Sequence, residues 1–151
     1  MDFEWQIVGV ENIRWAEKHV GLKAHEVGVV PIGRASATEL IGILQSADIF
    51  VHPSYIENSS NAMCEAQCVG LPVIATHVGG ATSLIEHKKT GIIVPANDVY
   101  MLAAQISRLA NNPKICMTLG KNARQEALKR HNPQAIITTV LNIYQSVKKG
   151  T

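Results

Sequence analysis

The chain is predicted to adopt an α/β fold, in which a parallel sheet is covered by helices on both faces. Two observations support this prediction. Short apolar segments rich in β-branched residues alternate with longer helix-forming segments along the 151 residues. The short segments are continuously apolar, which is typical of strands buried on both faces of a parallel sheet. Such an alternation favours helices packed on both sides of the strands.

The strands are identified by short runs bounded by turn residues. They are expected at residues 3–10, 27–31, 48–51, 72–75 and 92–94. The run at 72–75 follows Gly70-Leu71, which ends the preceding helix. The order of the strands along the chain is compatible with repeated strand–helix–strand units, so parallel pairing is expected.

Capping residues and prolines identify the helices. Ser36 and Glu39 have the spacing of a capping box, and Gly21 follows the end of the first helix. Pro113 and Pro133 open the last two helices. Helices are therefore expected at residues 11–20, 36 to about 46, 59 or 60 to 69, 97 or 98 to about 110, 113 onwards, and 133 to about 148.

The composition excludes several classes of function. A net charge of +2 gives no reason to expect nucleic acid as a partner. No apolar stretch is long enough to predict a membrane span, and the first residues are acidic rather than the basic start of a signal peptide. The three cysteines form no C-x-x-C pair and have no metal-ligand spacing. These features predict a cytoplasmic protein with reduced thiols and no metal site.

Residues 57–65 contain most of the functional information. Glu57 lies in the loop after the strand at 48–51, and Glu65 lies about a turn and a half into the next helix. Ligands of open α/β sheets bind beside the carboxyl ends of the strands. The N–H groups at the start of the helix have no intrahelical partner and attract anions such as phosphate. The segment therefore predicts a phosphate site between two hydroxyl-accepting carboxylates, as in a nucleotide-sugar site.

Further motifs occur in the order found in one enzyme family. They are His52-Pro53-Ser54, the pair Glu57 and Glu65, Gly70-Leu71-Pro72-Val73-Ile74, Val78-Gly79-Gly80 and Thr90-Gly91. Together they resemble the carboxyl-terminal half of the retaining glycosyltransferases of family 4, the group 1 glycosyl transferases of GT-B fold. The resemblance covers nearly the whole chain. It implies a Rossmann-like, donor-binding domain over residues 1–151 that forms one half of a GT-B fold.

The resemblance implies a separate role for each carboxylate. Glu57 matches the catalytic glutamate near the hydroxyls of the donor sugar, where it positions the sugar or also stabilises positive charge at the anomeric carbon. Glu65 matches the glutamate that binds the diol of the ribose. A simple loop carboxylate and a solvent-facing helical glutamate are the alternatives for these two positions.

The helix start is assigned to the donor phosphates by the same resemblance. Asn58, Ser59 and Ser60 stand where many members have Gly-Phe-Gly, and this departure leaves the identity of the sugar open. The amide of Asn61 aligns with one that contacts the distal phosphate. Plain N-capping is an alternative for the two serines, and both functions are compatible.

Two glycine-containing turns complete the expected donor site. Gly33 and Arg34 align with a loop that contacts the base, and Gly79 and Gly80 align with a turn close to the donor. A surface arginine and a purely structural turn are the alternatives. His52 is expected to be structural, because the acceptor-side histidine of the family belongs to a different domain.

The resemblance also implies what the chain works with. Family members have an amino-terminal acceptor domain and a first basic loop, and neither is found in this sequence. The chain is thus expected to be a donor-binding domain truncated at its amino-terminal end and inactive alone. Its expected substrate is a nucleotide diphosphate sugar, without a cofactor. Cell-surface polysaccharide or lipopolysaccharide synthesis is the expected setting, and peripheral membrane association of the intact enzyme is compatible with it.

Two other functions share parts of this pattern. A sugar-nucleotide epimerase of GT-B layout would have the same fold but would not need the spacing of Glu57 and Glu65. A non-catalytic nucleotide-binding or flavodoxin-like module would explain the alternation of strands and helices. It would leave the paired glutamates unexplained.

Overall fold

A computed structural model describes residues 3–149. The chain divides into two compact units, Met1–Ile43 and Leu44–Thr151. The ends of the predicted donor-binding domain, residues 1–2 and 150–151, lie outside the described residues. Each unit contains its own parallel sheet, and the α/β class predicted from the sequence is confirmed.

The first unit is built on two parallel strands, β1 (Trp5–Val8) and β2 (Val29–Gly33). Between them lie helix α1 (Arg14–Val20) and a 3₁₀ helix (Ala24–Val27). The observed β1 is shorter than the predicted strand at 3–10. Strand β2 begins later than predicted and continues past Pro31, which a two-stranded sheet tolerates because each strand is an edge.

Helix α2 (Ala37–Ser46) begins at the predicted capping box. The Glu39 carboxylate accepts hydrogen bonds from the backbone N–H and the hydroxyl of Ser36, both at 2.7 Å. The Ser36 hydroxyl in turn accepts from the Glu39 N–H at 3.3 Å. Reciprocal bonds of this kind satisfy N–H groups that the first turn of a helix leaves without a partner.

The second unit contains a three-stranded parallel sheet in the order β3 (Phe50–His52), β4 (Val73–Thr76) and β5 (Ile92–Val94). All four residues of the central strand β4 are buried, as its continuous apolar sequence predicts. The helices of this unit are α3 (Asn61–Val69), α4 (Ala81–Leu84), α5 (Val99–Ala110), α6 (Pro113–Arg130) and α7 (Pro133–Lys149).

The hydrophobic core of the second unit lies between the sheet and helices α5 and α6. Its buried side chains are Ile74, Ile92, Val94, Leu109 and Leu119. Complete burial of an aliphatic side chain contributes about 1.5–3 kcal/mol. The core therefore holds β4 and β5 firmly, and β4 supports the neighbouring strand β3 through the parallel register His52–Ala75.

Most helix ends agree with the sequence, but α1 begins at Arg14 and not at residue 11 as predicted. Asp98, rather than Asn97, caps α5, since its carboxylate accepts the Met101 N–H at 2.8 Å. Gly70, in the left-handed region at φ 97°, ends α3. The 3₁₀ helix and α4 were not predicted, because a single turn is too short to show a helical period.

Among the helices of residues 3–149, none is both long and apolar enough to cross a membrane.

Candidate functional site

The loop between β3 and α3 carries the first carboxylate of the candidate site. Strand β3 ends at His52, and α3 begins at Asn61. Glu57 lies between them and is partly buried, with 19% of its side chain exposed. The loop follows the carboxyl end of a strand, which is the edge where parallel sheets bind ligands.

Both oxygens of the Glu57 carboxylate accept hydrogen bonds. Nε2 of His52 lies 2.8 Å from Oε2, and the backbone N–H of Asn58 donates to Oε1 at 2.8 Å. These contacts lower the pKa of Glu57: the His52 hydrogen bond has the largest effect, desolvation opposes it, and the Asn58 amide adds to it. The carboxylate is therefore ionised at neutral pH and held in one orientation.

The backbone around His52 is tied to the neighbouring strand. Thr76, the buried last residue of β4, donates from its hydroxyl to the carbonyl of Ser54 at 2.5 Å and lies 3.4 Å from that of His52. The imidazole of His52 stacks with Phe50, with ring centroids 6.2 Å apart and an interplanar angle of 15°. The histidine that contacts Glu57 is thus fixed by two strands.

The turn at Gly79 and Gly80 packs against the backbone of the same loop. A Cβ on Gly79 would lie 1.7 Å from the Glu57 carbonyl oxygen, and one on Gly80 would lie 1.7 Å from that of Asn58. The Gly80 N–H donates to the Glu57 carbonyl at 3.3 Å. The turn therefore supports Glu57 from behind, and side chains are excluded from both positions.

The start of α3 has the predicted form. Ser60 is buried, and its hydroxyl accepts the Met63 N–H at 3.2 Å, which makes it the N-cap. Asn61 is the first helical residue and is exposed, as are Asn58 and Ser59. The N–H groups of the first helical turn lack carbonyl partners within the helix. This terminus can therefore accept an anion beside the Glu57 loop.

Glu65 lies in the same helix, one turn beyond Asn61. Its neighbours Cys64 and Ala66 are buried, whereas Glu65 itself is exposed. No side chain or amide of residues 3–149 donates a hydrogen bond to its carboxylate. Glu65 is therefore available to hydroxyl groups of a ligand, and its assignment to the ribose stays a prediction.

Gly33 and Arg34 belong to the first unit. Gly33 lies at the end of β2 with φ 75°, accepts from the Gly9 N–H at 2.6 Å and donates to the Val10 carbonyl at 2.9 Å. Arg34 is exposed. Their predicted contact with the base stays a prediction.

In the second unit, which also contains Glu65, seven of the sequence-predicted site residues lie around the loop between β3 and α3. They are Glu57, Asn58, Ser59, Ser60 and Asn61 on the loop and helix start, and Gly79 and Gly80 beneath them. The contact of His52 with Glu57 and the support from Thr76 were not predicted from the sequence. One signal in the sequence could have indicated them. His52 and Thr76 each end a strand, and these two strands are parallel neighbours, so the two side chains lie at one edge of the sheet.

No group of three His, Cys, Asp or Glu side chains within residues 3–149 could hold a metal ion. Cys64, Cys68 and Cys116 are free thiols, and burial raises the pKa of Cys64 and of Cys116. The expectation that no cofactor is needed stays a prediction.

Comparison with known proteins gives similar sequences and a similar fold. Glycogen synthase of Mycobacterium tuberculosis is 28% identical over 135 residues, which are 89% of this chain and 32% of the relative. The capsular polysaccharide biosynthesis glycosyltransferase CapM of Staphylococcus aureus is 30% identical over 109 residues, 72% of this chain and 29% of the relative. The chain thus spans about a third of the length of the curated relatives it matches.

A solved structure supports the fold independently. HepE of Anabaena, in complex with UDP-glucose, superposes with a TM-score of 0.79 at 21% identity, covering 95% of this chain and 41% of that one. The family profile described as "Glycosyl transferases group 1" matches residues 3–126, which include every residue assigned to the site. The chain therefore belongs to the group 1 glycosyl transferases, whose structural relatives have the GT-B fold.

Proposed function

We propose that this chain binds the donor of a retaining glycosyltransferase, a nucleotide diphosphate sugar. In the intact protein, the sugar would be transferred to an acceptor hydroxyl with its anomeric configuration kept. The observation that carries the proposal is the ionised, hydrogen-bonded carboxylate of Glu57 in the loop that leads into α3, whose first N–H groups have no carbonyl partner within the helix. One short segment thereby combines a carboxylate that can accept hydrogen bonds from sugar hydroxyls with a site that can bind an anion.

Each group is proposed to bind a different part of the donor. The amides at the start of α3 bind the distal phosphate, and the dipole of the helix contributes about 0.5–1 kcal/mol there. Glu57 accepts hydrogen bonds from the sugar, and Glu65 accepts them from the ribose diol. This assignment is supported by the exposure of Glu65 and Asn61 and by the rigid support of Glu57.

The proposed chemistry relies on positioning and electrostatics. The diphosphate leaves from the face on which the acceptor hydroxyl attacks, and it takes the proton of that hydroxyl. Preorganised N–H donors at the helix start would stabilise the charge that develops on the leaving group. The fixed negative charge of Glu57 would favour positive charge at the anomeric carbon. No metal is proposed in this scheme, because the amides at the start of α3 would bind the diphosphate.

The biological setting is proposed from the relatives. Glycogen synthase and CapM are named for polysaccharide synthesis, and we extend this to cell-surface polysaccharide or lipopolysaccharide. Nucleotide sugars are the proposed partners, and the proposed location is the cytoplasm, with peripheral membrane association of the intact protein. We expect the 151-residue chain alone to bind a donor without transferring its sugar, since its relatives are about three times as long.

A ligand panel tests the proposed function. UDP, GDP, ADP, their glucose conjugates and flavin mononucleotide are each added to the chain at several concentrations, and the melting temperature is recorded. A ligand at 100 times its Kd stabilises the folded state by about 2.7 kcal/mol, so weak binders are also detected at high concentration. Stabilisation by one nucleoside diphosphate and its sugar supports the proposal. Stabilisation by flavin mononucleotide alone would show a different kind of module.

Product analysis of the intact protein with a labelled donor then identifies the reaction. Transfer of the label to an acceptor with the anomeric configuration kept is the expected result. Isomerisation of the free sugar nucleotide would identify an epimerase instead.

A further inference from the structure

We infer that His52 is a positioning residue, which fixes the Glu57 carboxylate for the donor sugar by donating a hydrogen bond from Nε2 to Oε2. The inference rests on the proposed function, because it assigns His52 to the sugar-binding part of that site. His52 does not need to contact the sugar. Its proposed effect is on the orientation and charge of Glu57.

The contact has the geometry of a charge-assisted hydrogen bond. Nε2 and Oε2 are 2.8 Å apart, and the two side chains are similarly shielded, with 17% and 19% of their surfaces exposed. A carboxylate can only accept, so the proton of this bond belongs to Nε2. The Ser54 hydroxyl lies farther from the same nitrogen, at 3.1 Å. The single Nε2 proton is therefore directed to Glu57.

The two hydrogen bonds to Glu57 leave one lone pair free on each carboxylate oxygen. His52 uses one lone pair of Oε2, and the Asn58 amide uses one of Oε1. Each carboxylate oxygen has a second lone pair that stays available. Rotation of the carboxylate would break both bonds, so the remaining lone pairs point in fixed directions. Such preorganisation favours a ligand with hydroxyl groups at matching positions over one without them.

His52 is itself held by contacts with other residues. Thr76 binds the carbonyl of Ser54, and the His52 ring stacks on Phe50. These contacts hold the backbone that follows His52 and pack the imidazole against Phe50. A histidine with no role beyond the packing of the strand end would not need its donor nitrogen at this position, and this difference makes the inference testable.

The first experiment requires no ligand. The Glu57 carboxyl is titrated by ¹³C NMR in the 151-residue chain, in wild type, His52→Leu and His52→Gln. Leu removes the donor, whereas the amide of Gln can replace Nε2. We expect the Glu57 pKa to rise in His52→Leu and to stay near wild type in His52→Gln. His131→Leu, at the end of α6, is the matched control, and it should leave the titration unchanged. Identical titrations in wild type and His52→Leu would overturn the inference.

A measurement on wild type keeps the inference testable if His52→Leu does not fold. The ¹⁵N spectrum of the His52 ring reports which nitrogen carries the proton at neutral pH. A proton on Nε2 is expected. A neutral ring protonated only on Nδ1 would show that no hydrogen bond is donated to Glu57, and it would overturn the inference.

The second experiment tests the connection with the sugar. Affinities for UDP and UDP-glucose are measured by calorimetry in the same variants. His52→Leu should lower the affinity for UDP-glucose by about tenfold, the effect of one charged hydrogen bond, and leave the affinity for UDP unchanged. His52→Gln should restore most of the loss. Equal losses for both ligands would overturn the assignment to the sugar. If wild type binds no nucleotide at all, the proposed function fails, and the titration alone decides the role of His52.

Discussion

Gly80 lies against the backbone of Asn58 so closely that a Cβ atom on Gly80 would be 1.7 Å from the Asn58 carbonyl oxygen. The backbone of Gly80 has φ −73°, a value open to every residue. Glycine is therefore required here by the contact and not by the backbone conformation. Through this contact, the turn after β4 determines where the loop with Glu57 lies.

Replacement of Gly80 by alanine tests this contact. We expect Gly80→Ala to lower the free energy of unfolding by about 1–3 kcal/mol, because backbone atoms must move to admit the methyl group. Urea denaturation of the chain measures the change. Gly42→Ala is the control, since Gly42 lies in α2 with no atom within 4 Å of an added Cβ. It should be stabilising by about 0.5–1 kcal/mol. An unchanged stability of Gly80→Ala would contradict the contact.

The two glutamates are expected to respond differently to the same substitution. Glu65→Gln should weaken the binding of both UDP and UDP-glucose by about 1–3 kcal/mol, because the proposed partner of Glu65 is the ribose that both ligands contain. Glu57→Gln should leave UDP binding unchanged and weaken UDP-glucose. Calorimetry on the chain measures both affinities. If the two variants lose affinity for UDP equally, the division of roles is wrong.

The start of α3 can be altered without loss of the helix. Asn61 is the first helical residue, and Ser60 before it has extended backbone angles, φ −76° and ψ 109°. Proline is compatible with both conditions. We therefore expect Asn61→Pro to fold and to lose the amide proposed to bind the distal phosphate. The preference for UDP over UMP, measured by calorimetry, should shrink.

Ser60→Ala is the control for this experiment. It removes the hydroxyl that caps the helix by accepting the Met63 N–H, and it should lower the free energy of unfolding by about 1 kcal/mol. The amide of Asn61 stays in place. The preference of Ser60→Ala for UDP should match that of wild type. A folded Asn61→Pro variant with an undiminished preference would show that the distal phosphate binds elsewhere.

The stability of the chain is expected to depend on pH through Glu57. Its pKa is lowered in the folded state, first by the His52 hydrogen bond. A lowered pKa means that the ionised form is stabilised by folding, so the contribution is present above the pKa of the unfolded chain. It is lost as the pH falls through the lower pKa of the folded chain. The stability difference between wild type and Glu57→Gln should therefore shrink as the pH falls from neutral into the acid range. Urea denaturation across this range measures it, and a constant difference would argue against an ionised, bonded Glu57.

Local signals in the sequence were sufficient for most secondary-structure elements. The capping box of Ser36 and Glu39, the Asp98 cap and Pro113 each act within one helical turn, and the structure confirms them. The strand at 92–94 was predicted with its observed bounds. The loop carboxylate of Glu57 and the nearby helix start could also be predicted, because both belong to the nine-residue segment from Glu57 to Glu65.

Contacts between distant parts of the chain were decided only by the tertiary structure. The division of the parallel strands into a two-stranded and a three-stranded sheet depends on pairing across whole helices. The support of the Glu57 loop by Gly79, Gly80 and Thr76 joins residues about twenty positions apart. The contact of His52 with Glu57 depends on that support, although the two residues are only five apart. Sequence determines which hydrogen-bonding groups are present and which short segments form helices or strands. The position of a loop depends on its packing against strands and turns that are distant from it in the sequence. This packing sets the geometry of the site.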